Sequence, residues 1–452
     1  MDKLGSSPFT WCEFDAMGNV LNGGAERIMD LVQKADAQDL VVVSHGWKNE
    51  RPDAQKLYSE LWLHTVAALR RIPPERIIVC GIMWPATQYR TAMDEDAFSQ
   101  PDGGGAASVH GAGPVRDLTD EELEEVLKDN KDLFSASATA LLDAARATAE
   151  GITGARAQSL VEAAKPLMSV NGIDDELIQD VNPYLNAEDY QLFVSVLVDP
   201  PSRGVQGTVG GVQGLGDAAG QRLAGPRAAV ARFLNQLTYF EMKRRAGVVG
   251  AGLASSVLSK LDPGERKLRL HLVGHSFGAR LVTAAAAALP PTVRVDFFSL
   301  TLLQGAFSHN ALARSFGAGL TGAFSDVVGR PSGPIAMTYT HNDLACTLAY
   351  ALASRLSWDM ATSIGDANDP FGAMGANGAQ HLADGDLAPA ATMGTAAGDQ
   401  RDRFKLVCGK VNGFRADDFV VQTDTTDAHN NVANPTVGLL LAAVIEAGPG
   451  VP

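Results

Sequence analysis

Paired cysteines, long apolar runs and an excess of positive charge are all missing from this chain of 452 residues. The four cysteines, Cys12, Cys80, Cys346 and Cys408, have no C-x-x-C spacing and lie in apolar stretches typical of strands or helices. We therefore expect buried, reduced thiols. That cysteine usage favours a cytoplasmic location, because disulfides persist mainly in oxidising compartments.

No stretch of the sequence is apolar over a length that predicts a membrane span. The N-terminal residues lack the apolar region of a secretory signal. The apolar run at 437–445 near the C-terminus is far shorter than the roughly 20 residues that a spanning helix needs. With 46% hydrophobic residues, the composition is that of a soluble globular protein.

The formal net charge of −15 argues against nucleic acid or an anionic membrane surface as the main partner. The charge says little about a small neutral substrate such as an ester or a lipid-like molecule. The chain has no internal repeat, and its length predicts two or three domains or one large α/β domain with an insertion. The oligomeric state is not indicated.

The segment 267–284 carries the strongest chemical signal. It reads as a strand rich in leucine and β-branched residues, then GHSFG at 274–278, then an alanine-rich helix, which is the G-x-S-x-G motif in its strand–turn–helix setting. Glycines two positions either side of the serine lack a Cβ and let strand and helix pack closely. We predict that Ser276 is a nucleophile at the positive end of the helix, with an ordinary glycine-rich turn as the alternative.

Apolar strands alternate with helices in two parts of the chain, which predicts an α/β fold with a mostly parallel central sheet covered on both faces. Besides the strand before the serine motif, strands are predicted at 39–44, 76–83, 295–303, 335–340 and 404–411. Helices are predicted at 53–69, 228–261 (with a break at 247–252), 343–356 and 436–447.

The stretch from about 91 to 225 has a different character. It holds glycine-rich tracts and helical patterns, including a capping box formed by Thr119 and Glu122 and a candidate helix at 136–170, and no convincing parallel strand. Because this stretch lies between a strand and the helix before the serine motif, we interpret 92–225 as a large, mainly helical inserted cap. Residues 1–91 and 226–452 would then form the core.

This organisation resembles the α/β-hydrolase fold. SHGW, a strand ending in MWP, GHSFGARLV, LLQGAFSH and THNDLA look like the corresponding segments of bacterial serine-esterase-like α/β-hydrolases. The likeness covers residues 1–91 and 226–452. It implies a Ser-His-Asp triad in the chain order serine, acid, histidine, an oxyanion hole, and a cap over an enclosed, partly apolar pocket.

The base should follow both the serine and the acid in this chain order, and only His381 and His429 come after the acid position that follows the strand ending at 340. His429 follows the last predicted strand and precedes the last helix, where this fold carries its base, so we favour it over His381. Asp343, directly after the strand at 335–340, is the predicted acid. It can also be read as an N-terminal residue of the following helix, and Asp326 and Asp366 are less well placed.

The oxyanion hole needs backbone N–H groups aimed at the developing charge. The resemblance implies Phe277, the residue after the nucleophile, and the loop after the strand 39–44, with Trp47 as the first choice and Gly46 as the second. Three further residues are placed at the substrate pocket, the two histidines mainly as supports of the loop geometry: Trp84, His45 and His275.

Acidic and amide side chains crowd the loop 366–386, with a spacing that does not match an EF-hand. We interpret this loop as solvated rather than as a calcium site, and we predict neither a metal nor a cofactor. The residues concerned are Asp366, Asp369, Asn377, Asp384 and Asp386.

The predicted function is a serine hydrolase of the carboxylesterase or lipase type, which cleaves a carboxylic ester through an acyl-enzyme intermediate. Amidase, thioesterase and phospholipase reactions use the same residues and stay open. The alternative from another class is a catalytically silent protein of this fold whose inserted domain binds a partner.

Overall fold

The structure is a computed structural model. It describes residues 2–47, 49–86, 115–134, 138–168, 190–195, 197–198, 222–317, 319–343, 345–346, 372–388, 391–392, 404–424 and 426–448. The chain forms two compact units, the first chiefly from residues 1–87 and 242–452 and the second from residues between them.

The described strands, in chain order, are β1 (Asp2–Leu4), β2 (Ser7–Phe14), β3 (Val20–Leu21), β4 (Asp39–Ser44), β5 (Ile77–Met83), β6 (Val115–Arg116), β7 (Arg222–Leu223), β8 (Arg269–His275), β9 (Asp296–Leu303), β10 (Ile335–Tyr339), β11 (Ala391–Thr392) and β12 (Val411–Arg415). Among the described residues, ten of them form one sheet in the order β1-β2-β5-β4-β8-β9-β10-β12-β11, with β3 beside β2. Only the pairings of β2 with β1 and with β3 are antiparallel. The fold is therefore α/β with a mostly parallel central sheet, as the sequence predicts.

The described helices are α1 (Gly24–Lys34), α2 (Arg51–Ala68), α3 (Asp120–Phe134), α4 (Ala138–Ala149), α5 (Gly154–Met168), α6 (Tyr190–Ser195), α7 (Pro226–Ser256), α8 (Phe277–Ala288), α9 (Met374–Asn377) and α10 (Pro435–Ile445). Within the ranges given above, no helix has both the length and the apolar character needed to cross a bilayer.

The central strands are apolar because both faces of the sheet are covered. All six residues of β4 are buried, as are the last six of β8. On one face Leu61 and Trp62 of α2 pack with Val437 and Leu441 of α10 and with Val41 of β4 in one apolar cluster. This packing holds α10 in place, and with it the loop that precedes α10.

Two predictions for the segment 404–411 are wrong. The strand expected at 404–411 lies at β12 instead, because Gly409 adopts a left-handed turn (φ 71°) and Asn412 donates to the carbonyls of Val407 and Lys410. Cys408, expected to be buried, is exposed in that turn, whereas the other three cysteines are buried. The apolar letters before the turn therefore do not form a strand.

The break predicted at 247–252 is also wrong, since α7 runs without interruption from Pro226 to Ser256. Its glycines allow close packing. A Cβ on Gly250 would lie 2.2 Å from the carbonyl oxygen of Leu281, and one on Gly252 would lie 2.1 Å from that of Gly18. Most of the helix predicted at 343–356 falls outside the described residues.

The second unit is mainly helical in its described residues. The capping box at the start of α3 is confirmed: Thr119 N–H donates to Glu122 (2.7 Å) and Glu122 N–H donates to the Thr119 hydroxyl (3.2 Å). The helix predicted at 136–170 is divided into α4 and α5 by a turn at Gly151. The parallel pair β6–β7 was not predicted, because two-residue strands carry no periodicity.

Candidate active site

The carboxyl ends of four neighbouring strands meet at one edge of the sheet. Ser44 of β4 is level with Gly274 of β8, Gly274 with Leu302 of β9, and Leu302 with Met337 of β10. The segments that follow these strands therefore emerge side by side, at the edge where open α/β sheets bind ligands. All three predicted triad residues belong to loops at this edge or to the loop before α10.

Ser276 occupies a strained turn between β8 and α8, with φ 58° and ψ −125°. A Cβ on Gly274 would lie 2.2 Å from the carbonyl oxygen of Gly278, and a Cβ on Gly278 would lie 2.3 Å from that of Ser44. Only glycine fits at these two positions. The tight turn between strand and helix that the sequence predicts at 274–278 is therefore present, and a non-glycine residue with positive φ at such a turn marks a candidate site.

His429 lies between β12 and α10 and joins the other two residues. Its Nε2 is 2.7 Å from Ser276 Oγ, and its Nδ1 is 2.7 Å from Asp343 Oδ2. A carboxylate only accepts, so Nδ1 carries the proton and Nε2 accepts from the serine hydroxyl. This tautomer is the one that a base acting on Ser276 requires.

Asp343 is fully buried and its two carboxylate oxygens accept from separate groups. Oδ1 accepts from the Cys346 N–H at 2.9 Å, and Oδ2 accepts from the Gln304 side-chain amide at 3.1 Å in addition to His429. The turn that carries Asp343 is in turn tied to the loop after β12, where Thr340 donates to Asp417 at 2.7 Å. The carboxylate is therefore held from several sides.

Asp343 and His429 shift each other's pKa values. Burial favours the neutral carboxyl, but the charge and hydrogen bond of His429, with those from Cys346 and Gln304, hold the pKa of Asp343 below its usual range. Burial also disfavours the imidazolium, yet the charge and hydrogen bond of Asp343 outweigh it and raise the pKa of His429. The pair thus stabilises a protonated His429, as a base that accepts a proton from Ser276 needs.

His275 supports the loop that carries the base. Its Nε2–H donates to the carbonyl oxygen of His429 at 2.8 Å, and the two ring centroids lie 4.9 Å apart. Burial, together with the charge of His429, lowers the pKa of His275 to about 3. The ring is therefore neutral at physiological pH, which agrees with the predicted supporting role.

His45 and Trp84 are buried behind the loop after β4. Trp84 donates its indole N–H to the carbonyl of His45 at 3.1 Å, and the two rings stack with centroids 5.7 Å apart. Burial lowers the pKa of His45 to about 4, so this ring is neutral too. The structure places both residues as supports of the loop backbone.

Gly46 packs directly against the serine. A Cβ at this position would lie 2.5 Å from Ser276 Cβ and 3.0 Å from Ser276 Oγ. The next residue, Trp47, brings its ring to 6.1 Å from the ring of Phe277, and Phe277 is the first residue of α8. The two segments predicted to form the oxyanion hole therefore both adjoin Ser276.

A second serine–histidine–aspartate set, which sequence reasoning missed, lies inside the sheet. His271 Nδ1 is 2.8 Å from Ser299 Oγ, and its Nε2 is 2.9 Å from Asp39 Oδ1, which Arg269 also contacts at 2.7 Å. Ser299, His271 and Asp39 have no exposed surface. This set connects three strands and cannot meet a substrate; no sequence motif distinguishes it from an apolar strand.

Asp343, Cys346 and His429 are the one group in the described part of the chain whose atoms could together hold a metal, all lying within 4.8 Å of one another. Zinc takes cysteine as the thiolate, and burial raises the pKa of the Cys346 thiol well above its usual value. His429 Nδ1 already bonds to Asp343. The arrangement fits a hydrogen-bonded acid and base better than a metal site.

The rival base and the acidic loop lie apart from this network. His381 is exposed and its Nδ1 is 2.8 Å from Asn310 Oδ1. In the loop, Asp386 pairs with Arg314 at 3.1 Å, whereas Asp366 and Asp369 lie outside the described residues. The described contacts therefore do not connect His381 to Ser276.

No family model, curated protein or solved structure matches this chain. The geometry at the carboxyl edge of the sheet is therefore what a functional assignment depends on.

Proposed function

We propose that this protein is a serine hydrolase of the α/β-hydrolase type that cleaves a carboxylic ester. One observation carries the proposal: Ser276 Oγ, His429 and Asp343 form a continuous hydrogen-bonded chain with both links at 2.7 Å. The serine is also in the left-handed turn expected of a nucleophile elbow. Hydrogen-bonded nucleophile, base and orienting acid are the general signature of covalent catalysis.

In this mechanism Ser276 Oγ attacks the ester carbonyl while its proton passes to His429 Nε2. Asp343 stabilises the imidazolium that forms. The N–H groups of Phe277 and of Trp47 or Gly46 would donate to the oxyanion. His429 then gives the proton to the departing alcohol, which leaves an acyl group on Ser276. Water attacks the acyl-enzyme with His429 again acting as base, and the acid is released.

The inserted unit is part of the proposal as a cap. The chain leaves the first unit after β5, whose carboxyl end lies at the same edge as Ser276. As a cap, a mainly helical insertion would enclose an apolar substrate and select among esters. Amides, thioesters and phospholipids would use the same three residues, so substrate preference is decided by assay.

A catalytically silent protein that binds a partner is the alternative. The continuous hydrogen-bonded chain argues against it. The strained turn at Ser276 costs stability, and in a protein without catalysis nothing would offset that cost.

A fluorophosphonate probe that reacts with activated serines tests the proposal. We expect the wild-type protein to be labelled at Ser276. Ser276→Ala should abolish labelling and lower the hydrolysis of p-nitrophenyl esters by about 10⁴-fold or more. A panel of these esters with increasing acyl length would define the substrate class.

Ser299→Ala is the matched control, since it removes a second serine of the described chain that bonds to a histidine, His271, which itself contacts an aspartate. It should leave labelling intact, although the loss of a buried hydrogen bond lowers stability by about 1–3 kcal/mol. An unlabelled wild-type protein, or labelling that survives Ser276→Ala, would contradict the proposal.

A further inference from the structure

Gln304, close to the triad, combines an unusual backbone conformation with a buried polar side chain. It follows β9 with φ 46°, a left-handed conformation that glutamine rarely adopts. Its side chain is fully buried, and its Oε1 has no hydrogen-bond partner in the described part of the chain. A strained backbone and an unpaired buried oxygen both cost stability. A gain elsewhere must offset them.

The side-chain amide of Gln304 contacts the predicted acid. Its Nε2 donates to Asp343 Oδ2 at 3.1 Å and to the carbonyl of Gly375 at 3.0 Å. Both neighbours are acceptors, so the amide cannot be turned over without placing Oε1 against two other oxygens. The orientation of the amide is therefore determined by its surroundings.

The turn around Gln304 also holds the nucleophile. Ser276 N–H donates to the carbonyl of Leu303 at 3.0 Å, and the N–H of Ala306 donates to the carbonyl of Ser276 at 3.2 Å. The segment 303–306 thus binds the backbone of Ser276 on both sides while its one long polar side chain reaches Asp343. The thiol of Cys346 adds a weak contact to the Gln304 carbonyl at 3.7 Å.

We propose that Gln304 is a positioning residue of the triad, which sets the distance between nucleophile and acid through one turn. The inference rests on the proposed hydrolase function. Gln304 does not touch the reacting atoms, and it acts through Asp343. By donating to Oδ2 it also draws charge from the oxygen that accepts from His429, so that the carboxylate is a weaker base than it would be alone.

Gln304→Met tests the hydrogen bond, because methionine has a similar length but no donor. We expect kcat/KM to fall by about 10- to 100-fold, as expected for the loss of a hydrogen bond to a charged group, mainly through kcat. The acidic limb of the pH profile should move to higher pH, because Asp343 becomes the stronger acceptor and favours the imidazolium of His429.

Gln304→Asn separates positioning from stability. Asparagine tolerates a left-handed backbone better than glutamine, but it is one methylene shorter and cannot reach Asp343 from the same position. We expect thermal stability at least equal to the wild type, together with a loss of kcat. A Gln304→Asn variant that is as stable as the wild type and has the kcat of the wild type would overturn the inference.

Asn412→Leu is the matched control, since Asn412 is a buried amide of β12 whose side chain donates to backbone carbonyls, including that of Ile335. Within the described residues its side-chain hydrogen bonds go to backbone groups and not to the triad. It should lower stability without moving the pH profile. If Gln304→Met behaves in the same way, Gln304 is a structural residue only.

A measurement without turnover keeps this test independent of the proposed activity. The low-field proton resonance of His429 Nδ1–H and its titration can be followed by NMR in Ser276→Ala, with and without Gln304→Met. We expect a shift of both on adding Gln304→Met. An unchanged resonance and titration would overturn the inference even in a protein that hydrolyses esters, and a shift in a protein without esterase activity would contradict only the proposed function.

Discussion

Gly46→Ala is the sharpest single perturbation of the site. The added Cβ would lie 2.5 Å from Ser276 Cβ and 3.0 Å from Oγ, whereas carbon atoms in contact sit about 3.5–4.0 Å apart. About 1 Å must therefore open between the loop after β4 and the nucleophile. Displacement of a reacting group by 1 Å costs about 100-fold in rate, so we expect probe labelling of Ser276 and kcat/KM to fall by about that factor.

The rate of labelling by a fluorophosphonate probe and the melting temperature, measured on the same samples, separate chemistry from folding. Gly413→Ala is the control, since its Cβ would meet only the ring of Tyr339 at an ordinary 3.4 Å on a neighbouring strand of the same sheet. We expect it to label at the wild-type rate. Equal labelling of Gly46→Ala and wild type would refute the placement of Gly46 against the nucleophile.

The other predictions concern protonation. His429→Ala should lower ester hydrolysis by about 10⁴-fold or more, whereas His381→Ala should change it little; the reverse result would show that the base is misassigned. Because Asp343 raises the pKa of His429, kcat/KM should rise with pH through an ionisation above the usual histidine value of 6.5, and a profile that is already flat at pH 6 would contradict this. Burial lowers the pKa of His45 to about 4 and that of His275 to about 3, from the usual histidine value of 6.5. As the pH falls, these two histidines therefore take up protons in the unfolded chain before they do so in the folded protein. The free energy of unfolding, measured by urea titration, should therefore decrease below about pH 6.5 by up to roughly 1.4 kcal/mol per pH unit for each ring, and a constant value between pH 7 and 5 would contradict their burial.

Hydrophobic patterning was sufficient for the five neighbouring strands at the centre of the sheet, whereas β2 beside them was not predicted and β12 was predicted at the wrong place. Patterning predicted these strands close to their observed bounds: β4, β5, β8, β9 and β10. A strand that is buried on both faces requires a continuous run of apolar residues, and few other structural elements require one. The predicted elbow also follows from local sterics. Gly274 and Gly278 are required by contacts within a few residues and by the adjacent strand, so the motif itself carries the information.

Local patterning failed where distant contacts decide the structure. The segment before Gly409 has the apolar pattern of a strand, but the N–H of Gly409 donates to the distant carbonyl of Gly333 at 2.8 Å, and β12 starts later. The glycines of α7 resemble a helix break in sequence, and only the nearby backbones of Leu281 and Gly18 explain why they are there.

For the candidate site, the sequence motif by itself predicted Ser276, and the chain order that the α/β-hydrolase resemblance implies, together with the ends of apolar strands, predicted His429 and Asp343. Their hydrogen bonds, the neutral state of His275 and the contacts of Gln304 were decided only by the tertiary structure. The groups involved lie 39 to 154 positions apart in the chain, and they come within hydrogen-bond distance only when the parallel strands align their carboxyl ends. Burial then sets their pKa values, and burial is a property of the packed molecule rather than of any segment of it.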